Sequence, residues 1–363
     1  MRPSHQLIRL LVSLTFIFSG FMKLNDPTGF SFKLAAYFQA FAVDFTPLFL
    51  KCLPLTTALA IGISTLEIVL GTALLVNLYL RHTLRMLLLL TGFFSLLTFY
   101  TAAFKRLGSC GCFGDAIPLT PWQSCLKSLL LLLALGLLYQ RQAIHKKANA
   151  LIIQLGIPVF AGILGISMGW YTLHHLPIID FSPYKVGNNL GVLSKPSAPL
   201  RYQYWLEKDN KQLKTLIYPK DTTYRLIKTI LLNPANKPQL SNFTIWNKQE
   251  EITTQVLQGT KLLVIIKHPA ALSHTTFDAL ATFLQMLPAR VQPLWLMPFH
   301  AHTEHVPGTL AMPFAWASAD LLNAMLPANL GFILLQDGIV VGKWAYQDLV
   351  QVKKALAKHG LYQ

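Results

Sequence analysis

Charged residues are scarce in this sequence. Only 13% of its 363 residues are Asp, Glu, Lys or Arg, whereas about a quarter is usual for a soluble globular protein. Acids are the rarest: residues 1–178 contain four, against thirteen Lys and Arg. This shortage excludes an ordinary soluble fold for the first half and predicts a membrane domain, with the lipid bilayer as its partner.

The second half is different. Residues 179–363 contain eleven acids and eighteen Lys and Arg, mixed as on a soluble surface. The net charge of +16 is high, but the sequence lacks the basic patch with interleaved aromatic residues that is typical of nucleic-acid binding. We therefore expect no nucleic-acid partner, and anionic lipid headgroups explain the charge.

Five apolar runs are long enough to cross a membrane. They cover residues 6–24, 54–78, 84–104, 121–139 and 150–172. The first run lacks an A-x-A-like cleavage site after it, so we interpret it as a retained helix. The aromatic-rich residues 28–50 suit a segment lying at the membrane interface. Thr120 is the predicted N-cap of the fourth run, with Pro121 in its first turn.

The distribution of basic residues predicts the orientation. With the N-terminus inside, the inner segments hold seven Lys and Arg and the outer loops five, namely Lys23, Lys33, Lys51, Lys105 and Arg106. Five spans then place the C-terminal half outside. The prediction is a multi-pass protein of the bacterial inner membrane with a periplasmic C-terminal domain.

Cysteine is absent from the second half, and all four cysteines fall on the predicted outer side. Cys110 and Cys112 lie in the glycine-rich segment 108–115 (GSCGCFGD), Cys52 precedes the second span, and Cys125 opens the fourth. An even set on an oxidising face predicts a disulfide or dithiol site.

The pairing stays open from the sequence. Because alternate side chains of an extended segment point to opposite faces, a direct Cys110–Cys112 bridge needs a strained turn and is easily reduced. Pairing with Cys52 or Cys125 is the alternative. Cu(I) binding by the two thiolates, or an incidental pair in a glycine-rich connector, are the other interpretations.

Glu67 lies near the middle of the second apolar run. A carboxylate at that depth costs at least about 2.5 kcal/mol, so it is expected to face the bundle interior with a partner. Ser64, Thr65 and Thr72 are the nearby donors. The residue predicts either a polar site for a proton, a quinone or a peptide group, with quinone as a possible cofactor, or a hydrogen-bonded packing carboxyl.

The soluble half alternates between strands and helices. Strands are predicted at 202–206, 212–218, 243–246, 262–266 and 293–297, helices at 249–258, 275–287 and 319–326, and a hairpin at 331–336/339–344 turned at Asp337-Gly338. This order is similar to the thioredoxin-like fold. Residues 267–274 (KHPAALSH) stand where a thioredoxin has C-x-x-C, and Asn329 precedes Leu330 where it has a cis-proline. We therefore expect a binding or structural domain.

A second candidate site in this half is the segment with His300, His302, Glu304 and His305. Three histidines and a carboxylate in six residues could bind Zn²⁺ or Cu²⁺. A cluster flanked by Pro and Gly in a loop is more often solvated, so no metal site is predicted.

Three segments carry a resemblance to a known family. Residues 18–23 (FSGFMK), 64–71 (STLEIVLG) and 110–115 (CGCFGD) resemble the DoxX-like membrane family, in particular its branch similar to MauE, the methylamine-utilisation membrane protein. The resemblance covers roughly residues 1–140. Residues 180–185 (DFSPYK) and 338–344 (GIVVGKW) resemble Bacteroidetes DoxX-family proteins that append a thioredoxin-like domain.

The resemblance implies a polytopic inner-membrane protein; MauE-type proteins are linked to making or maturing a disulfide-rich periplasmic enzyme subunit. The predicted domains are a DoxX/MauE-like four-helix transmembrane domain, a basic cytoplasmic loop with a fifth transmembrane helix, an irregular or hairpin connecting segment, and a periplasmic thioredoxin-like α/β domain lacking C-x-x-C. Their bounds are 1–140, 141–178, 179–239 and 240–363.

The functional hypothesis is periplasmic thiol–disulfide chemistry, or maturation of a periplasmic partner. Cys110 and Cys112 would form the redox pair and Cys125 or Cys52 would resolve it. The alternatives are a non-catalytic membrane scaffold with a structural disulfide, and a metal-handling membrane protein.

Overall fold

The computed structural model describes residues 3–104, 117, 119–140, 151–208, 211–219, 223–299 and 313–358. The predicted Cys110–Cys112 pair and the histidines at 300, 302 and 305 lie outside these residues. The chain divides into two compact units, Met1–Phe181 and Ser182–Gln363. Each is described by itself.

The N-terminal unit is helical. Its elements are α1 (Pro3–Asn25), α2 (Pro27–Asp44), a 3₁₀ helix (Pro47–Leu55), α3 (Thr56–Leu75), α4 (Leu80–Phe104), α5 (Pro121–Gln140) and α6 (Leu151–His174). Among the described residues, five helical segments are long and apolar enough to cross a membrane, and they coincide with the five predicted runs. The multi-pass prediction is confirmed at this level.

The start of α5 is a reciprocal cap. The Thr120 backbone N–H donates to Gln123 Oε1 at 2.9 Å, and the Gln123 N–H donates to Thr120 Oγ1 at 3.4 Å. This is a capping box, which satisfies two backbone donors that the first turn leaves unpaired. Thr120 is thus the N-cap that the sequence predicts.

The aromatic-rich segment 28–50 is helical, in α2 and the 3₁₀ helix. Phe30, Leu34 and Tyr37 on one face of α2 are buried, and they pack with Ala60 of α3 and with Leu97 and Tyr100 of α4. One face of this segment therefore belongs to the bundle interior.

Helices α1 and α6 run parallel and end together. Thr172 Oγ1 in α6 donates to the Leu24 carbonyl at 2.7 Å, and the Asn25 amide exchanges two hydrogen bonds with the backbone of Ile179. Gly165 and Gly169 face Leu24 and α3 side chains at 3.1–3.4 Å from where a Cβ would lie. The two glycines thus allow α6 to approach its neighbouring helices closely.

A buried apolar cluster lies at the end of the unit away from the Thr172–Leu24 contact, and it shows which helix ends lie together. Residues 12–16 of α1, 70–74 of α3, 84–87 of α4 and 135–138 of α5 share a buried apolar core. The C-terminal ends of α1, α4 and α6 and the N-terminal ends of α3 and α5 are therefore together at the other end.

The C-terminal unit contains two sheets. Its strands are β1 (Tyr202–Lys208), β2 (Lys211–Thr215), β3 (Arg225–Leu231), β4 (Thr260–Ile266), β5 (Gln292–Pro298), β6 (Phe314–Ala317), β7 (Leu330–Gln336) and β8 (Ile339–Ala345), and its helices are α7 (Leu190–Leu193), α8 (Thr253–Val256), α9 (His274–Gln285), α10 (Ala319–Met325) and α11 (Leu349–Lys358). Strands β1–β3 form an antiparallel sheet in the order β2-β1-β3.

The larger sheet has the order β6-β5-β4-β7-β8. Strands β4, β5 and β6 are parallel, and β7 and β8 are antiparallel to their neighbours. Side chains of α9 and α11 pack on one face around Trp295 and Phe332. Leu263 and Ile265 on the other face of β4 are also fully buried, so the central strand is covered on both sides, as its continuous apolar run predicts.

Two local predictions are wrong, and two strands were not predicted. Residues 243–246 form no ladder; only Trp246 makes isolated bridges, to Glu251 and Trp316. The helix expected over 249–258 is limited to Thr253–Val256. Strands β3 and β6 were missed. The closing hairpin is confirmed, with Asp337 and Gly338 at φ 48° and 78°, as a two-residue turn of this type requires.

Candidate functional site

The centre of the N-terminal unit contains a buried ion pair. Lys23 Nζ of α1 donates to Glu67 Oε1 of α3 at 2.5 Å, and the side chains are 3% and 2% exposed. The two helices can approach this closely because Gly20, one turn before Lys23, lies against the Ser64 carbonyl. Glu67 therefore faces the bundle interior with a partner, as its position in the span requires.

The partner is not one that the sequence indicated. Ser64 Oγ and Thr72 Oγ1 donate to carbonyls of their own helix, at 2.6 Å to Ala60 and 2.9 Å to Ile68. Lys23 was counted among the outer-loop residues, but it lies buried in the last turn of α1. The sequence does contain a signal for this pair: a single cation, Lys23, ends one span, and a single acid, Glu67, lies within the next.

Aromatic rings surround the ammonium group. Lys23 Nζ lies 4.4 Å from the ring centroid of Phe94 and 5.1 Å from that of Phe30. Such ring faces stabilise a desolvated cation. The carboxylate is less well satisfied: within the described part of the chain, Glu67 Oε2 is buried and has no hydrogen-bond partner.

A small cavity of about 30 Å³ adjoins the pair. Its polar lining comes from four helices: Thr15, Ser19 and Lys23 of α1, Glu67 of α3, Thr91 of α4, and Lys127 and Ser128 of α5. Phe16, Phe94 and Leu131 complete the wall. This volume has room for about two water molecules.

The two described cysteines lie at one end of this unit. Cys52 is in the 3₁₀ helix that leads into α3 and is half-buried, and Cys125 is buried in the second turn of α5. They are not bonded to each other. Since α4 ends at Phe104 and α5 begins at Pro121, the segment with Cys110 and Cys112 starts and ends at this same end.

No group of three or more His, Cys, Asp or Glu side chains within the described ranges could hold a metal ion. The three histidines at 300–305 and the Cys110–Cys112 pair lie outside those ranges.

Two comparisons with known proteins give matches. A family model described as methylamine utilisation protein MauE matches residues 1–140. Protein TlpB of Flavobacterium psychrophilum is 29% identical over 155 residues, which are 41% of this chain and 40% of TlpB. The matched part thus spans less than half of that relative, and no solved structure matches.

The MauE match lies within the helical unit. The MauE match covers α1 to α5, which contain the ion pair, the cavity and both described cysteines. The chain is a multi-pass membrane protein whose first 140 residues are similar to MauE-type membrane proteins.

Proposed function

We propose that the protein is a DoxX/MauE-like protein of the bacterial inner membrane that supports thiol–disulfide exchange with a periplasmic protein. Cys110 and Cys112 form the exchanging pair, and Cys125 or Cys52 resolves the mixed disulfide. The observation that carries this proposal is that Cys52 and Cys125 lie at the end of the bundle where the segment 105–120 starts and ends.

The exchange needs no outside electron acceptor. One thiolate of the chain attacks a disulfide sulfur of the partner, a new S–S bond forms, and the partner's second sulfur leaves as a thiolate. A second cysteine of the chain then attacks the mixed disulfide and releases the partner in its dithiol form. Two electrons pass from the chain to the partner, and the reverse sequence oxidises the partner.

The chain leaves the membrane domain at the cysteine end, and the basic residues support a periplasmic location for that end. Because α1 and α6 are parallel, the chain leaves α6 at the end where the cysteines lie. Removing the buried Lys23 from the outer basic residues leaves four, against seven on the inner side, so the bias of the positive-inside rule grows.

The C-terminal unit fits the role of a thioredoxin-like binding module. The sheet order and the hairpin at its edge support that fold. Where C-x-x-C would follow β4 the chain has Lys267, which is buried and donates from Nζ to the Pro327 carbonyl at 2.7 Å. Asn329 Oδ1 accepts from the His268 N–H at 2.9 Å. We propose that this domain holds the partner while the membrane domain supplies the thiols.

Thiol trapping in intact cells tests the proposal. Single Cys→Ser variants are treated with a membrane-impermeant maleimide before and after mild reduction, and the labelled site is identified by mass spectrometry. We expect Cys110 or Cys112 to label only after mild reduction. We expect Cys125→Ser or Cys52→Ser, whichever removes the resolving thiol, to leave a mixed disulfide with a partner that reduction breaks.

Three other outcomes contradict the proposal. Labelling without reduction means free external thiols, and bound metal in the purified protein would then favour metal handling. A disulfide that resists mild reductant is structural, and this result would favour the non-catalytic membrane scaffold. Labelling only after the membrane is permeabilised overturns the orientation.

A further inference from the structure

The buried carboxylate of Glu67 presents an unused acceptor to the cavity. Its side chain is 2% exposed, Oε1 is bound to Lys23, and Oε2 has no partner among the described residues. A buried acceptor left unpaired destabilises the fold, and more so when it is charged. This oxygen is therefore where a small hydrogen-bond donor gains most by binding.

The charges and the volume of the cavity indicate which donor can bind there. The charged groups facing the cavity are Lys23 from α1, Glu67 from α3 and Lys127 from α5, while α4 contributes Thr91 and Phe94. Two ammonium groups disfavour a metal cation, and a carboxylate oxygen disfavours an anion. A volume of about 30 Å³ is too small for a quinone ring. Water fits, since it can donate to Glu67 and accept from an ammonium or a hydroxyl group.

A buried thiol lies one helical turn from the cavity along α5. Ser128 lines the cavity, Cys125 lies three residues before it, and Ser124 lies four before it, so both are on the same side of the helix one turn away. Cys125 is 5% exposed and Ser124 is 1% exposed. The Ser124 hydroxyl makes no hydrogen bond to any described residue. The thiol and the Ser124 hydroxyl therefore lie one helical turn from a cavity whose wall includes Ser128 and the Glu67 carboxylate.

We propose that this cavity is a hydrated proton-exchange site that serves Cys125. The S–H bond of Cys125 breaks, its proton passes through water and hydroxyl groups to Glu67, and the thiolate attacks the sulfur of the mixed disulfide. The thiolate that leaves takes a proton back, so the exchange is proton-neutral overall. This inference rests on the proposed function, in which Cys125 acts as the resolving thiol. Glu67 acts through Cys125, by accepting its proton, and is therefore a positioning residue.

The test measures the reactivity of Cys125 alone. The full-length protein with Ser at positions 52, 110 and 112 is reconstituted in liposomes, and methyl methanethiosulfonate labelling is followed by mass spectrometry as a function of pH. General-base assistance typically contributes at least about a hundredfold. We expect Glu67→Gln to slow labelling by roughly that factor at neutral pH, and Glu67→Asp to restore part of the rate.

Asp44→Asn is the matched control. Asp44 is also a carboxylate held by another helix, since Oδ2 accepts from the Tyr100 hydroxyl at 2.5 Å, but it does not line the cavity. It should leave the labelling rate unchanged. Equal rates for the wild-type residue and Glu67→Gln, or equal losses for Glu67→Gln and Asp44→Asn, would overturn the proposal.

A second variant tests the proposal in case Glu67→Gln misfolds. Lys23→Met combined with Glu67→Leu replaces the buried pair by apolar groups, a change that buried pairs often tolerate. It should fold and still label slowly, and labelling at the wild-type rate would count against the site. This experiment contains neither Cys110 nor Cys112. A failure of those two cysteines to exchange disulfides in cells would therefore not change the labelling result for Cys125.

Discussion

Lys23 Nζ and Glu67 Oε1 lie 2.5 Å apart, and neither side chain is more than 3% exposed. The pair joins α1 to α3 across 44 residues of sequence. Its two members depend on each other, because either one alone is an uncompensated charge in an apolar interior.

The first prediction concerns this dependence. Lys23→Met alone should lower the free energy of unfolding by about 3–5 kcal/mol, because Glu67 loses its counter-charge. Adding Glu67→Leu should recover most of that loss. Unfolding of the detergent-solubilised single and double variants gives the coupling energy. Additive effects would mean that the two side chains do not act as a pair.

The second prediction concerns the contact between α1 and α3. A Cβ at Gly20 would lie 2.5 Å from the Ser64 carbonyl oxygen and 2.7 Å from Ile68 Cγ1, so Gly20→Ala should cost about 1–3 kcal/mol. Gly62 has nothing within 4 Å of such a Cβ. Gly62→Ala should be neutral or stabilise by up to about 1 kcal/mol. Thermal unfolding compares the two, and equal changes would exclude the close approach.

The third prediction concerns the cap of α5. Thr120→Ala removes the acceptor for the Gln123 N–H and should cost about 1 kcal/mol. Amide hydrogen exchange at Gln123 should accelerate. Thr120→Ser keeps a hydroxyl and should behave as wild type; an equal effect of both variants would show that the methyl group, not the cap, matters.

The fourth prediction concerns the β7–β8 hairpin. Gly338 has φ 78°, a conformation that costs a residue with a Cβ about 1–2 kcal/mol. Gly338→Ala should lower the stability of the C-terminal unit by about that amount, measured by chemical denaturation. Asp337→Asn tolerates the same region and keeps an acceptor for the Gly259 N–H, so it should have a much smaller effect.

Local signals account for most of what the sequence predicted correctly. The apolar runs gave the spans, Thr120 and Pro121 gave the start of α5, and Asp337-Gly338 gave the hairpin. Each of these rests on neighbouring residues whose preferences the fold does not oppose. Strand β4 was predicted for the same reason, since its apolar run is continuous.

Long-range pairing accounts for the failures. The Lys23 partner of Glu67 depends on how α1 and α3 align, which no local pattern records. Residues 243–246 have strand-like composition but meet other backbone only at Trp246. Strand β3 lacks the alternation of buried and exposed residues that marks a strand, since Arg225 to Thr229 are all exposed.

That exposure has a consequence for the sheet β2-β1-β3. Leu206 is fully buried, whereas every residue of β2 up to Lys214 is exposed. Among the described residues, little apolar surface is removed from water when these strands assemble, so their association adds little to the free energy of unfolding. We therefore expect this sheet to open locally before the buried strand β4 does.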